Sequence, residues 1–155
     1  MKWLTILLAT SVALVAMGFH GTTSQQSARD RFLDALAFSE TKRDQFAVGD
    51  SGKAFGMYQI HRVAWHDVNR MFRLLNNDTH DYSMATNREI STIYASAYID
   101  ILSSRLSEAL KRPPSYREVY CAWNLGFAGF RRKGLRFDLC PESTKAGWMR
   151  LRSVY

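Results

Sequence analysis

The stretch 86–110 constrains this chain more than any other. Apolar residues at Ile90, Ile93, Tyr94, Ala97, Ile101, Leu102 and Leu106 recur at three- and four-residue intervals, the period of one helix face. Thr86 and Glu89 have the spacing of a capping box at its start, and Pro113-Pro114 forbids its continuation. At 1.5 Å per residue such a helix runs for roughly 35 Å, about the width of a small domain. With an apolar face of that length, it is predicted to be the central, buried element.

The flanking segments are also mostly helical. Phe32, Leu33, Leu36 and Ala37 form a stripe over 28–41, and Glu40 falls on it. Val63, Val68, Met71 and Leu75 predict a helix over 63–75, ended by Asn76-Asn77-Asp78. Ser115 and Glu118 form a second capping box, opening a helix through Val119, Ala122 and Trp123 that Gly126 stops. Trp148, Met149 and Leu151 predict one last short helix. The Gly-rich segment 46–60 breaks this pattern, and Gly49-Asp50-Ser51-Gly52 is a turn signal between short extended pieces, the place for a small hairpin.

There is no internal repeat and no second composition regime, so residues 28–155 read as one domain; 155 residues at 46% hydrophobic suit a single packed core. Residues 1–18 read as a signal peptide: Lys2, an uncharged run through Met17, then Ala16 and Gly18 at the spacing of a cleavage site. The run is short for a membrane span of about 20 residues. Residues 19–27, polar from Thr22 to Gln26, read as a linker and argue against a buried N-terminal helix. An exported protein, periplasmic or secreted, follows, with no stable membrane insertion once the signal is removed.

A net charge of +7 favours polyanionic surroundings. The densest basic stretch, Arg131, Arg132, Lys133 and Arg136, lacks the motifs of nucleic-acid modules and reads as a solvated face, so no nucleic-acid partner is expected. Cys121 and Cys140 are an even pair that an oxidising compartment would allow to bridge; two unlinked buried thiols are the alternative. Neither has metal-ligand spacing, and His20, His61, His66 and His80 do not cluster with them, so no metal and no cofactor is expected.

Glu40 is the first candidate for chemistry. A carboxylate on the apolar side of a helix, near its C-terminus, is disfavoured as an anion by burial and by the helix dipole, and both effects raise its pKa. A Glu protonated near neutral pH can donate a proton to a leaving oxygen. The competing reading is a helix-end residue turned to solvent and paired with Lys42 or Arg43.

The context of Glu40 decides between them. Glu40-Thr41 is followed by Gly56-Met57-Tyr58-Gln59 after the turn, and later by Ala122-Trp123-Asn124-Leu125-Gly126. Together these resemble the lysozyme-like family of lytic transglycosylases and goose-type lysozymes, in which a Glu-Ser pair ends a helix, a Gly-x-x-Gln motif follows a turn and hairpin, and an Ala-Tyr-Asn-x-Gly motif lies on a later helix. Order and spacing agree from Phe32 to Phe130. The fold this implies is mainly α (α+β), a lysozyme-like helical domain with a small β-hairpin after the catalytic helix.

The resemblance makes Glu40 the catalytic acid and base and Gln59 a cleft residue that hydrogen-bonds sugar, with Asn124 beside them. Tyr58 is a further cleft candidate, with packing on the core as its alternative, and Asn124 has helix capping as its own. Two positions depart from the family pattern. Thr41 stands for the usual Ser, keeping a hydroxyl. Trp123 stands for a Tyr whose hydroxyl would bond the catalytic carboxyl, so Glu40 is expected to be held by packing against the indole, with a higher pKa.

The implied substrate is the glycan strand of peptidoglycan, cut at the β-1,4 bond between N-acetylmuramic acid and N-acetylglucosamine by a monomeric enzyme. One route is lytic transglycosylation, in which Glu40 alone serves as acid and then base, and the muramoyl 6-hydroxyl closes a 1,6-anhydro ring. The other is hydrolysis with a second carboxylate positioning water. Asp50 is the candidate for that carboxylate, while the second acidic position of the goose-type pattern is His61 here. Asp50 also suits a turn former in Gly-Asp-Ser-Gly, and that reading favours the transglycosylase route. A catalytically silent, cationic wall-binding protein is the third possibility.

Overall fold

The computed structural model describes residues 23–155; the expected signal segment 1–18 lies outside them. The described chain is mainly helical, with six α-helices and one small antiparallel sheet. In chain order these are α1 (Thr23–Thr41), β1 (Val48–Gly49), β2 (Ala54–Phe55), β3 (Ile60–His61), α2 (Arg62–Leu74), α3 (Arg88–Leu110), α4 (Tyr116–Leu125), α5 (Phe127–Arg132) and α6 (Glu142–Arg152). No helix among the described residues is long and apolar enough to cross a membrane.

As its periodicity requires, α3 is the central element: α1, α2, α4 and α5 all pack against it. It is buried on more than the predicted stripe, because Ala95 and Ile99 are covered along with Tyr94, Leu102 and Leu106, while Ile93 is 46% exposed. Its N-cap is Asn87 rather than Thr86. Asn87 Oδ1 accepts the Ile90 N–H at 3.0 Å, whereas Thr86 ends a 3-10 helix (Tyr82–Thr86) and its hydroxyl turns back to the Ser83 carbonyl. An Asn is at least as good a cap as a Thr, and the helix starts where the better acceptor stands.

At the other capping box the expectation holds in full. Ser115 Oγ accepts the Glu118 N–H, and the Glu118 carboxylate accepts the Ser115 N–H at 2.7 Å. Arg112 adds an ion pair at 2.6 Å, and these donors hold the Glu118 carboxyl down to about 2. The helix opened there, α4, ends at Gly126. A short helix that the sequence did not announce, α5, follows at once and buries Phe130.

The segment expected as linker, residues 19–27, overlaps α1, which begins at Thr23. Extending a formed helix by a turn fixes one residue per hydrogen bond gained, so polar residues are recruited readily. In α2 the stripe is offset from the predicted one: Ala64, Trp65, Val68 and Asn69 are buried, whereas Val63 and Leu75 are exposed.

One core joins these elements, with Phe32, Leu36, Trp65, Tyr94, Leu102, Leu106, Phe130 and Leu151 fully buried. Each such side chain contributes about 1.5–3 kcal/mol of apolar burial. Trp65 stacks on Tyr94 with centroids 3.7 Å apart, and Phe32 on Tyr116 at 4.7 Å. The polar ends of the first pair are satisfied inside: Tyr94 donates to Asn69, and the Trp65 indole N–H donates to the His80 carbonyl at 2.9 Å.

Cys121 and Cys140 are both buried free thiols, so the bridge allowed by the sequence is not formed. Burial and the neighbouring Cys140 push the Cys121 thiol up to about 12, and Cys140 Sγ donates weakly to the Arg136 carbonyl. Both act as small apolar core groups.

Candidate active site

The expected hairpin is a three-stranded antiparallel sheet, β1-β2-β3, with Val48 opposite Phe55 and Phe55 opposite Ile60. Asp50 and Ser51 both take positive φ, 51° and 55°, and the Gly52 N–H donates to the Gly49 carbonyl at 3.0 Å. Asp50 and Ser51 lie in a four-residue connection, 50–53, between the paired Gly49 and Ala54. The second turn, from β2 to β3, needs Gly56 on two counts. Its φ is 74°, and a Cβ there would overlap the Ala85 carbonyl of the 3-10 helix.

The sheet and the last turn of α1 enclose a polar pocket of about 210 Å³, lined by Glu40, Asp50, Ala54, Gln59, His61, Trp123 and Asn124. It adjoins a longer groove of about 300 Å³ that shares most of these residues and adds Val63, Tyr98 and Leu125. Trp123 meets Tyr98 edge to face at 5.5 Å, so the groove has an aromatic wall. A larger groove of about 520 Å³ lies at the end of α3 among Arg105, Lys111 and Arg131 and holds none of the predicted site residues.

Glu40 is in the last turn of α1, beside the buried stripe of Phe32, Leu36 and Ala37. The alternative pairing with Lys42 or Arg43 does not occur: Arg43 pairs with Asp34 at 2.6 Å and Lys42 lies over the Phe38 ring. Among the described residues the Glu40 carboxylate has no hydrogen-bond and no ion-pair partner. Burial pushes its carboxyl up to about 7, opposed by the positive charge of Arg150. A carboxyl in that state is protonated in part at neutral pH and can act as donor and, once ionised, as acceptor.

Gln59 lines the pocket, but its amide is committed. Nε2 donates to the Gly56 carbonyl at 2.9 Å and to the Ala47 carbonyl at 3.3 Å, leaving Oε1 as its free function. The backbone of Gln59 has φ 51°, which turns the side chain back over the loop instead of outward. Asn124 does not cap its own helix. Its Oδ1 accepts from the buried Thr144 hydroxyl of α6 at 2.6 Å, and its Nδ2 stays available as a donor.

Two candidates lie outside the pocket. Thr41 turns its hydroxyl to the Met57 carbonyl at 3.0 Å, tying the end of α1 to the hairpin, so it positions the site and lines no part of it. Tyr58 is buried, and its hydroxyl meets that of Thr92 on α3 at 3.3 Å. The core reading of Tyr58 is the correct one, because the turn around Gln59 breaks strand alternation.

One further residue lines the pocket, and two lie within electrostatic reach of Glu40. His61 lines the pocket with Nε2 3.0 Å from Asp50 Oδ2. Tyr120 is one turn before Trp123 on α4, and its hydroxyl is pushed up by burial and by the nearby Glu40 carboxylate. Arg150 reaches the same region from α6. The first was legible as the residue two after Gln59; the other two carry no local signal, being brought in by the packing of α6 on α4 and α1. In comparisons with known proteins, no family model and no curated protein gives a significant match to this chain.

Proposed function

We propose that this chain is an exported enzyme that cleaves the glycan strand of peptidoglycan at the β-1,4 bond between N-acetylmuramic acid and N-acetylglucosamine, with Glu40 as the proton donor. One observation carries the reading: a carboxyl without a hydrogen-bond or ion-pair partner among the described residues, raised to about 7 by burial, shares a pocket with Gln59 and Asn124. These three come from the three motifs that resemble lytic transglycosylases and goose-type lysozymes. Trp123 and Tyr98 supply flat apolar faces suited to pyranose rings, and the neutral amides supply hydrogen bonds without drawing Glu40 into an ion pair.

In the reaction, the protonated Glu40 donates to the glycosidic oxygen as the bond to the anomeric carbon breaks. Two acceptors are compatible with this acid. The substrate's own 6-hydroxyl gives a 1,6-anhydro end, the lytic transglycosylase outcome, with Glu40 returning as base. Water gives a reducing end, and the Asp50–His61 pair in the pocket wall favours this second outcome.

Incubation of purified sacculi with the protein tests the proposal. Release of soluble glycan fragments, lost in Glu40→Gln, supports it. Intact glycan that retains bound protein supports the silent wall-binding alternative instead.

A further inference from the structure

We infer that Asp50 and His61 form the acceptor side of the site, His61 as the base that takes a proton from attacking water and Asp50 as the residue that positions it. The inference rests on the reading of Glu40 as the acid and specifies what completes the reaction.

Two local features point to it. His61 occupies the N-cap of α2, where a Ser, Thr, Asp or Asn would close a hydrogen bond to the helix. Its side chain makes no cap bond, and Nε2 instead meets Asp50 Oδ2 at 3.0 Å. Asp50 sits at φ 51° in the β1–β2 turn, a conformation its residue type tolerates, and its carboxylate lies against His61 in the pocket wall. The N-cap gives the His61 side chain no local role, and what the two residues share is each other and the pocket.

The pair is wet as well as joined, with side chains 49% and 67% exposed for His61 and Asp50. Glu40 faces them from α1, and α4 adds only the neutral Trp123 and Asn124. Arg62, next in the chain, is drawn off over the Tyr82 ring at 4.6 Å. Among the residues lining the pocket, the ionisable side chains are those of Glu40, Asp50 and His61.

With Nε2 3.0 Å from a carboxylate oxygen, the ring proton belongs on Nε2, so Nδ1 carries the lone pair and is the basic atom. Asp50 stabilises the imidazolium that forms and does not itself take the proton. In the step, the water oxygen bonds to the anomeric carbon as the bond from that carbon to the glycosidic oxygen breaks. The water proton passes to His61 Nδ1 and the Glu40 proton to the leaving oxygen. The products are a reducing end and a free 4-hydroxyl, the sum being addition of one water. Solvent then removes the imidazolium proton and restores that of Glu40. Transglycosylation needs no such base, since the acid itself serves as base.

The test is digestion of purified sacculi by the wild-type protein, His61→Ala, His61→Gln, Asp50→Asn and Asp50→Glu, with fragments identified by mass spectrometry and rates followed against pH. Wild type is expected to give reducing ends. Both His61 variants lose roughly 10²- to 10⁴-fold in kcat with unchanged circular dichroism, and added imidazole restores part of the rate in His61→Ala. Asp50→Asn lowers kcat with KM little changed, and Asp50→Glu restores part of the rate. Anhydro ends from wild type at a rate indifferent to His61→Ala overturn the inference and leave glycan cleavage by Glu40 standing. Intact sacculi with wild type overturn both.

Discussion

The buried hydroxyl of Thr144 donates to Asn124 Oδ1 at 2.6 Å, so α6 fixes a side chain of the pocket that it does not itself line. Thr144→Val keeps the shape and removes the donor. It is expected to cost about 1 kcal/mol in urea unfolding and to raise KM for glycan more than it lowers kcat. Thr144→Ser, which keeps the hydroxyl, is expected to restore KM. Equal kinetics for the Val and Ser variants would show that Asn124 needs no such support.

Gly49 and Gln59 are in comparable contact across the sheet. A Cβ on Gly49 would overlap Gln59 Oε1 and press on the rest of the amide. Gly49→Ala is therefore expected to expel the amide from its bonds to Gly56 and Ala47, costing on the order of 1–3 kcal/mol by overpacking and lowering activity. Gly52→Ala serves as contrast: Gly52 carries a positive φ, as Gly49 does not, but nothing lies within 4 Å of a Cβ there. Thermal unfolding of both variants separates backbone strain from loss of the Gln59 contact.

Thr41 makes a prediction of the opposite kind to its assignment by resemblance. Because its hydroxyl donates to the Met57 carbonyl at 3.0 Å, Thr41→Val is expected to lose about 1 kcal/mol and Thr41→Ser almost nothing. A direct sugar contact would instead show as a KM change in Thr41→Val with stability intact.

What the sequence made legible was what short-range physics decides. The periodicity of α3, the Ser115–Glu118 box and the stop at Gly126 all follow from neighbours within a few residues. Glu40 was legible because burial of a carboxyl is read from the apolar stripe beside it. Gln59 was legible as a pocket residue, whereas the burial of Tyr58 was not, since the positive φ of Gln59 reverses the alternation that a strand pattern assumes. Tyr120 and Arg150 depend on how α6 docks on α4, which no local spacing encodes. The short α5 is fixed by burial of Phe130 more than by its own propensity.

Glu40 also makes stability depend on pH with a definite sign. Its folded pKa, about 7, is above the ordinary 4.5, so between these values the native state holds a proton that the unfolded chain has released. Stability then falls as pH rises through that window, by up to about 3 kcal/mol for this one group. Glu40→Gln carries no such penalty. Relative to wild type it is expected to gain stability progressively between pH 4 and 8 in urea unfolding; a difference that stays constant with pH would mean that Glu40 is not buried as an acid.

The central claim is tested most directly by the rate of fragment release from purified sacculi, measured against pH for the wild-type protein and Glu40→Gln. Release by wild type should decline as pH rises through about 7, the value at which Glu40 loses its proton, and Glu40→Gln should be slower by at least roughly 10²-fold at every pH. Glu40→Gln releasing fragments at the wild-type rate would contradict the account.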